Sequence, residues 1–114
     1  MLIFDASYNM ASHDNWYIAA WIHFHVAALR YPDNPSTSNI RSAEYFYCNV
    51  FPSMIKCPSC LQEYRRLLEH EPPDTTSMAC LFYWTVKIHN TVNRKLGKPL
   101  MSHGEAWQVW NSRR

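Results

Sequence analysis

The chain has 114 residues, the size of one domain, and its 47% hydrophobic and 15% aromatic content is ample for a compact core. A net charge of +2 is too weak to argue for nucleic acid, and the two glycines, Gly97 and Gly104, exclude a glycine-rich phosphate loop. The most apolar long run, residues 16 to 31, includes His23, His25 and Arg30 and falls short of the ~20 apolar residues of a membrane span, so no membrane association is expected.

Residues 1 to 13 show no clear period, and residues 1–15 read as an N-terminal arm before a domain spanning 16–114. The arm has only a short apolar start, Met1 to Phe4, with no basic region, so no targeting segment is expected and the protein is expected to be intracellular. Asp14 or Asn15 can cap a first helix, whose apolar face is Ile18, Trp21, Ile22, His25, Val26 and Leu29. Pro32 stops it, and Tyr31 to Pro35 form a rigid loop. Ser36 or Ser38 can cap a second helix over residues 37 to 51, with Ile40, Tyr45, Cys48 and Phe51 inward and Pro52 interrupting it.

Cys57 opens a third helix with Pro58 in its first turn and Leu61, Tyr64, Leu67 and Leu68 buried, ended by Pro72 and Pro73. Thr76 or Ser77 starts the longest helix, lined by Leu81, Trp84, Ile88, Val92 and Leu96 and stopped at Gly97. His89 and Asn93, four apart, point the same way. Ser102 to Glu105 is a capping-box pattern for a short last helix with Trp107 and Trp110. No run alternates at period two, so the fold class is all-α: a four-helix bundle plus a short fifth helix.

Of the four cysteines, Cys57 and Cys60 form a C-x-x-C, while Cys48 and Cys80 stand alone inside helices and are expected to be buried free thiols. The motif alone fits half a zinc site, a redox disulfide or two unrelated cysteines. Structural zinc needs four ligands, and no second C-x-x-C exists. His23 and His25, two apart on a helix, face different ways, so zinc loses ground. A thioredoxin-like site would follow a strand in a βαβ pattern that is absent. A dithiol on a helical scaffold must pass on two electrons, which a flavin can accept and zinc cannot. Trp21, Trp84, Trp107 and Trp110 offer aromatic surface, and His25, His89, Asn90, Asn93, Lys95 and Lys98 offer polar contacts. Each has a plainer reading, as core tryptophan, satisfied core histidine or solvated lysine.

The order Trp21-x-x-x-His25, Tyr31-Pro32-Asp33-x-Pro35, Cys57-x-x-Cys60, Trp84, His89-Asn90-x-Val92-Asn93-Arg94-Lys95-Leu96-Gly97-Lys98-Pro99 and a late Trp110 resembles the Erv/ALR (augmenter of liver regeneration) family of FAD-linked sulfhydryl oxidases. The resemblance spans about residues 16 to 110. It implies FAD in the mouth of the bundle, a homodimer, and oxidation of dithiol protein substrates, with dioxygen taking the electrons to give hydrogen peroxide. By position, Cys57 and Cys60 are the redox pair. Trp21, His25, His89, Asn90, Asn93, Lys95, Lys98 and Trp110 are the implied FAD contacts, and Trp84 helps wall the pocket. No metal is implied.

The chain departs from the family where Tyr17 and Ile18 replace a Gly-Arg, Lys56 replaces a proline, and Glu69 and Val86 replace a structural disulfide. A helical binding module that has lost flavin, or a zinc-stabilised domain, is the alternative. The single-domain form resembles members encoded by large DNA viruses, which work in the host cytoplasm. At the start of its helix and beside Lys56, Cys57 is expected to have a lowered pKa. It is also expected to be the more exposed sulfur and the one attacked by substrate, with Cys60 facing the bundle. The bulky Trp16, Tyr17, Phe24, Tyr45, Phe46 and Tyr47 exceed what a small bundle can bury, an independent argument for the dimer.

Overall fold

The computed structural model describes residues 15–114. In chain order the elements are α1 (Asn15–Leu29), α2 (Thr37–Tyr45), a π-helical turn (Phe46–Val50), α3 (Phe51–Ser53), α4 (Pro58–His70), α5 (Met78–Lys95) and α6 (His103–Asn111). All regular structure among the described residues is helical. α2, the π turn and α3 form one interrupted rod, so the fold is a four-helix bundle with α6 as the short fifth helix. The expected arm lies outside the described residues except for Asn15, the first residue of α1.

Helix starts are set by side chains that accept the first free backbone N–H groups. Ser36 accepts from Asn39, Ser77 from Cys80 and Ser102 from Glu105. Asn39 and Glu105 reach back to the cap N–H, completing capping boxes at α2 and α6. At α4 the cap is a sulfur, with the Cys60 N–H donating to Cys57 Sγ at 3.3 Å. Pro58 follows in the first turn, where no donor is missed. α5 ends at Gly97, whose φ of 73° is a left-handed conformation. The Gly97 N–H bonds to Arg94 O and the Lys98 N–H to Asn93 O, a Schellman closure that turns the chain back towards α6.

α1 packs most extensively on α5 and also meets α6. Phe24, Ala28 and Leu29 of α1 meet Leu81, Trp84 and Ile88 of α5 in the core. Within α4, Tyr64 and Leu67 are buried, while Leu61 and Leu68 are half-buried. At the far end of α5, Val92 is half-buried, and Leu96, expected inward, is exposed at the C-cap.

The second helix departs most from expectation. Its inward residues are Ala43, Tyr47 and, as expected, Phe51, while Ile40 is half-buried and Tyr45 and Cys48 face outward. Tyr45 is 63% exposed, and Cys48 is exposed rather than buried. The π turn is the cause: its i→i+5 bonds put more residues in a turn than an α-helix does, so steps of four return to one face. Pro52 does not interrupt the rod; it sits buried in the first turn of α3. Two tyrosines stitch the π turn to its neighbours. Tyr47 donates its hydroxyl to Phe24 O on α1, and Tyr64 on α4 donates to Tyr47 O, both at 2.7 Å.

Phe24 and Tyr47 are thus core residues and drop out of the bulky surface set, leaving exposed Tyr45 and half-buried Trp16, Tyr17 and Phe46. No helix among the described residues is long and apolar enough to cross a membrane.

Candidate active site

A cavity of about 290 Å³ opens between α1, α3, α4 and the end of α5. Trp16, Tyr17, Trp21, Phe51 and Tyr64 give it aromatic walls, and Cys60, Glu63 and Lys95 are its polar lining together with Ser59. Cys60 reaches it because it lies in the first turn of α4, one turn before Tyr64 on the same face. Cys57, the cap residue, is not among the lining residues.

The two thiols differ electrostatically. Hydrogen bonds from Cys60 and then Ser59 to its sulfur lower Cys57 to about 7. The Ser59 hydroxyl lies 3.2 Å from that sulfur. Burial pushes Cys60 up to about 11, helped by the neighbouring Cys57. The expected lowering at Cys57 is therefore present, but it comes from Cys60 and Ser59, not from Lys56. As whole residues Cys60 is exposed and Cys57 half-buried, but the sulfur of Cys60 is the more desolvated of the two, in line with the expectation that Cys57 carries the more exposed sulfur. Residue exposure and sulfur desolvation diverge here because the thiol of Cys60 turns into the cavity wall while the rest of the residue faces solvent.

Behind Trp21 lies a buried polar cluster. The Trp21 indole stacks on the His89 imidazole with centroids 3.5 Å apart, and Trp110 stacks on His25 at 4.5 Å. His25 Nε2 is 2.7 Å from His89 Nδ1, and His25 Nδ1 is 3.1 Å from Thr85 Oγ1. His25, His89 and Asn93 are all 0% exposed. Burial lowers His25 to about 3 and holds His89 well below the usual imidazole range, so both rings are neutral. Among the described residues, the buried Trp21 Nε1 and Asn93 Oδ1 meet no hydrogen-bond partner.

The other candidate residues are dispersed. Asn90 clamps the loop before α6, its side-chain amide exchanging two hydrogen bonds with the Met101 backbone. Trp84 donates its indole N–H to Glu71 O and packs on Phe24 and Tyr47, away from the cavity lining. Lys95 pairs with Glu63 at 2.9 Å across α4 and α5. Lys98 lies over the Tyr17 ring at 5.5 Å. Glu63 and Thr85 escaped the sequence reading, although each stands at helical spacing from a chosen residue: Glu63 three after Cys60, and Thr85 four before His89. Among the described residues, no three His, Cys, Asp or Glu side chains are grouped as a metal ion would require.

The profile of the Erv1 / Alr family matches residues 18–111, nearly the whole described chain. The chain belongs to the Erv1 / Alr family. Among relatives, the "FAD-linked sulfhydryl oxidase ERV1" of Oryza sativa subsp. japonica is 30% identical over 82 residues, 72% of this chain and 42% of its own length. The "Probable FAD-linked sulfhydryl oxidase R368" of Acanthamoeba polyphaga mimivirus is 33% identical over 98 residues, covering 83% of this chain and 68% of that protein. This Erv1 / Alr chain thus spans about two fifths of the rice protein and two thirds of the viral one. The FAD binding domain of Erv1 from Saccharomyces cerevisiae has the same fold. It superposes with a TM-score of 0.80 at 24% identity, covering 90% of this chain and 96% of that domain.

Proposed function

We propose that this chain is an FAD-dependent thiol oxidase that forms disulfides in dithiol protein substrates, with dioxygen as electron acceptor and hydrogen peroxide as product. The observation that carries the reading is the placement of Cys60 in the wall of an aromatic cavity, with its low-pKa partner Cys57 at the helix cap outside that wall. Family membership and the FAD-linked names of the relatives support it.

The residues present fit a flavin. Trp16, Tyr17, Trp21 and Tyr64 offer flat apolar surface for a ring system. Trp21 Nε1 and Asn93 Oδ1, a buried donor and a buried acceptor, are the kind of atoms that a polar ligand satisfies. The His25–His89 pair and Trp110 back this wall, and Lys98 is a cation over the Tyr17 ring of the wall. Lys95, paired with Glu63, would have to exchange partners to meet a phosphate. Asn90 and Trp84 would act from a distance, one by holding the loop before α6 and the other by packing the core.

FAD, when bound, supplies a two-electron acceptor for the Cys57–Cys60 dithiol and hands those electrons to dioxygen. The chain's own residues perform the thiol exchange. A substrate thiolate attacks Cys57 Sγ of the Cys57–Cys60 disulfide. That bond breaks, leaving Cys57 in a mixed disulfide and Cys60 as the departing thiolate. A second substrate thiolate then attacks the substrate sulfur, closing the substrate disulfide and releasing Cys57. A thiol of pKa about 7 is a good leaving group for this second step. Cys60, pushed up to about 11, takes a proton readily when nothing in the cavity stabilises its charge.

Purified protein should be yellow, release one equivalent of free FAD on denaturation, and consume dioxygen with a small dithiol. Cys57→Ser and Cys60→Ser should each abolish turnover while keeping the colour. A folded, colourless chain that takes up no added FAD overturns the proposal. The same reading includes a homodimer, for which exposed Tyr45 and half-buried Phe46 supply apolar surface outside the cavity. Light scattering at micromolar concentration should give twice the chain mass.

A further inference from the structure

The Thr85 hydroxyl has a single proton, and it donates that proton to Phe82 O at 2.6 Å, within its own helix. Towards His25 Nδ1, 3.1 Å away, Thr85 Oγ1 can then only accept. His25 must therefore carry its proton on Nδ1, which leaves Nε2 as a lone pair. His89 Nδ1 lies 2.7 Å from that lone pair and must be the protonated nitrogen of its ring. The order of donors runs from His89 to His25 to Thr85 to Phe82 O, and it makes His89 Nε2 an acceptor.

The helical fold enforces this order. Phe82 O belongs to the second turn of α5, and Thr85 is fully buried, with no water-facing alternative for its hydroxyl. The indoles of Trp21 and Trp110 stack on His89 and His25 and hold the planes of the two rings. A free neutral imidazole prefers its proton on Nε2, so two adjacent rings protonated on Nδ1 need an outside cause, and the threonine acceptor supplies it.

We infer that Thr85 is a positioning residue that sets the proton arrangement of the His25–His89 pair, so that His89 presents an acceptor nitrogen on the cofactor side of the bundle. The cofactor side rests on the oxidase reading above; the proton arrangement does not. Thr85 touches no reacting atom. It acts through two histidines that sequence reasoning chose and whose pairing, across 64 residues, only the fold shows.

The test is ¹⁵N NMR of the imidazole rings in the full chain as purified, labelled at histidine, with the buried pair recognised by slowly exchanging ring protons. Both rings should show Nδ1–H. Thr85→Ser keeps an acceptor and should preserve that pattern. In Thr85→Val the acceptor is gone, and both rings should switch to Nε2–H while helical content stays unchanged. The same three proteins are then stripped of flavin and titrated with FAD: wild type and Thr85→Ser should bind alike, and Thr85→Val about tenfold more weakly. An Nε2–H ring in the wild type, or an unchanged pattern in Thr85→Val, overturns the assignment. A switch in Thr85→Val with unaltered FAD affinity overturns the role towards the cofactor. If wild type binds no FAD at all, the oxidase reading fails, while the ring pattern is judged on its own result.

Discussion

Lys95 Nζ lies 2.9 Å from Glu63 Oε1, so the last turn of α5 is tied to the helix that carries the dithiol, at the rim of the aromatic cavity. Glu63 also accepts from Arg66 at 2.6 Å. These hydrogen bonds hold its carboxyl at about 2, below the ordinary 4.5. A depressed folded-state pKa stabilises fully above 4.5, and that contribution is lost as pH falls through about 2. Both cations are well exposed, so the gain is below about 1 kcal/mol. Glu63→Gln should therefore cost less than about 1 kcal/mol in urea denaturation at pH 7. The gap from wild type should close as pH is lowered from 4.5 towards 2, and an equal gap at both ends would show that the charge is not the cause.

Cys57 is the sulfur primed for exchange. In the reduced chain its alkylation by iodoacetamide should reach half its limiting rate near pH 7, while Cys60 should need pH above 10. Because Cys60 is the largest cause of the lowering, Cys60→Ala should slow Cys57 alkylation at pH 7 by about tenfold, as expected when the thiolate becomes a minor species. If Cys60→Ala leaves that rate unchanged, the low pKa arises from the helix end alone.

Asn90 holds structure and does not face the cavity. Its two hydrogen bonds to Met101 span part-buried positions. Asn90→Ala should destabilise the chain by about 1–3 kcal/mol. At low temperature it should still carry FAD in full stoichiometry. Loss of FAD from a variant of unchanged melting temperature would instead place Asn90 at the cofactor.

The buried histidine pair makes stability fall with acid. The folded chain binds no second ring proton at His25 or His89 near neutrality, whereas the unfolded chain binds one at each below 6.5. A lowered histidine pKa stabilises above 6.5 and is lost as pH drops, at a slope approaching about 2.7 kcal/mol per pH unit for two sites. Urea midpoints should decline steadily from pH 7 to 5. A flat profile would mean that the pair is charged or open to solvent in solution.

The helix ends were legible in the sequence because they depend on neighbours within four residues: Ser77 as cap, the Ser102–Glu105 box and Gly97 at the α5 stop. The common direction of His89 and Asn93 was legible for the same reason. Local spacing could not show that His89 meets His25, since the two lie on different helices. Nor could it show that Asn90 turns to Met101, because that depends on how the chain returns after Gly97. Cys48 was misplaced because a 3.6-residue period was assumed through a stretch where the backbone widens. Nothing in Phe46-Tyr47-Cys48-Asn49-Val50 marks that change to a reader of side-chain types.

The widened stretch decides how the chain would respond to a change of length. An α-helix advances by about 100° per residue. Removing Cys48 or Asn49 would let ordinary α-helical bonding close across the gap, with little loss of hydrogen bonds. Because the π turn spreads one extra residue over the same rotation, Phe51 and Pro52 would stay on the core face, and the connection to Cys57 would start from the same side of the rod. A residue added to the regular part of α2 would instead turn everything after it by that angle, and the penalty would be felt at the dithiol, in a segment whose own sequence is intact.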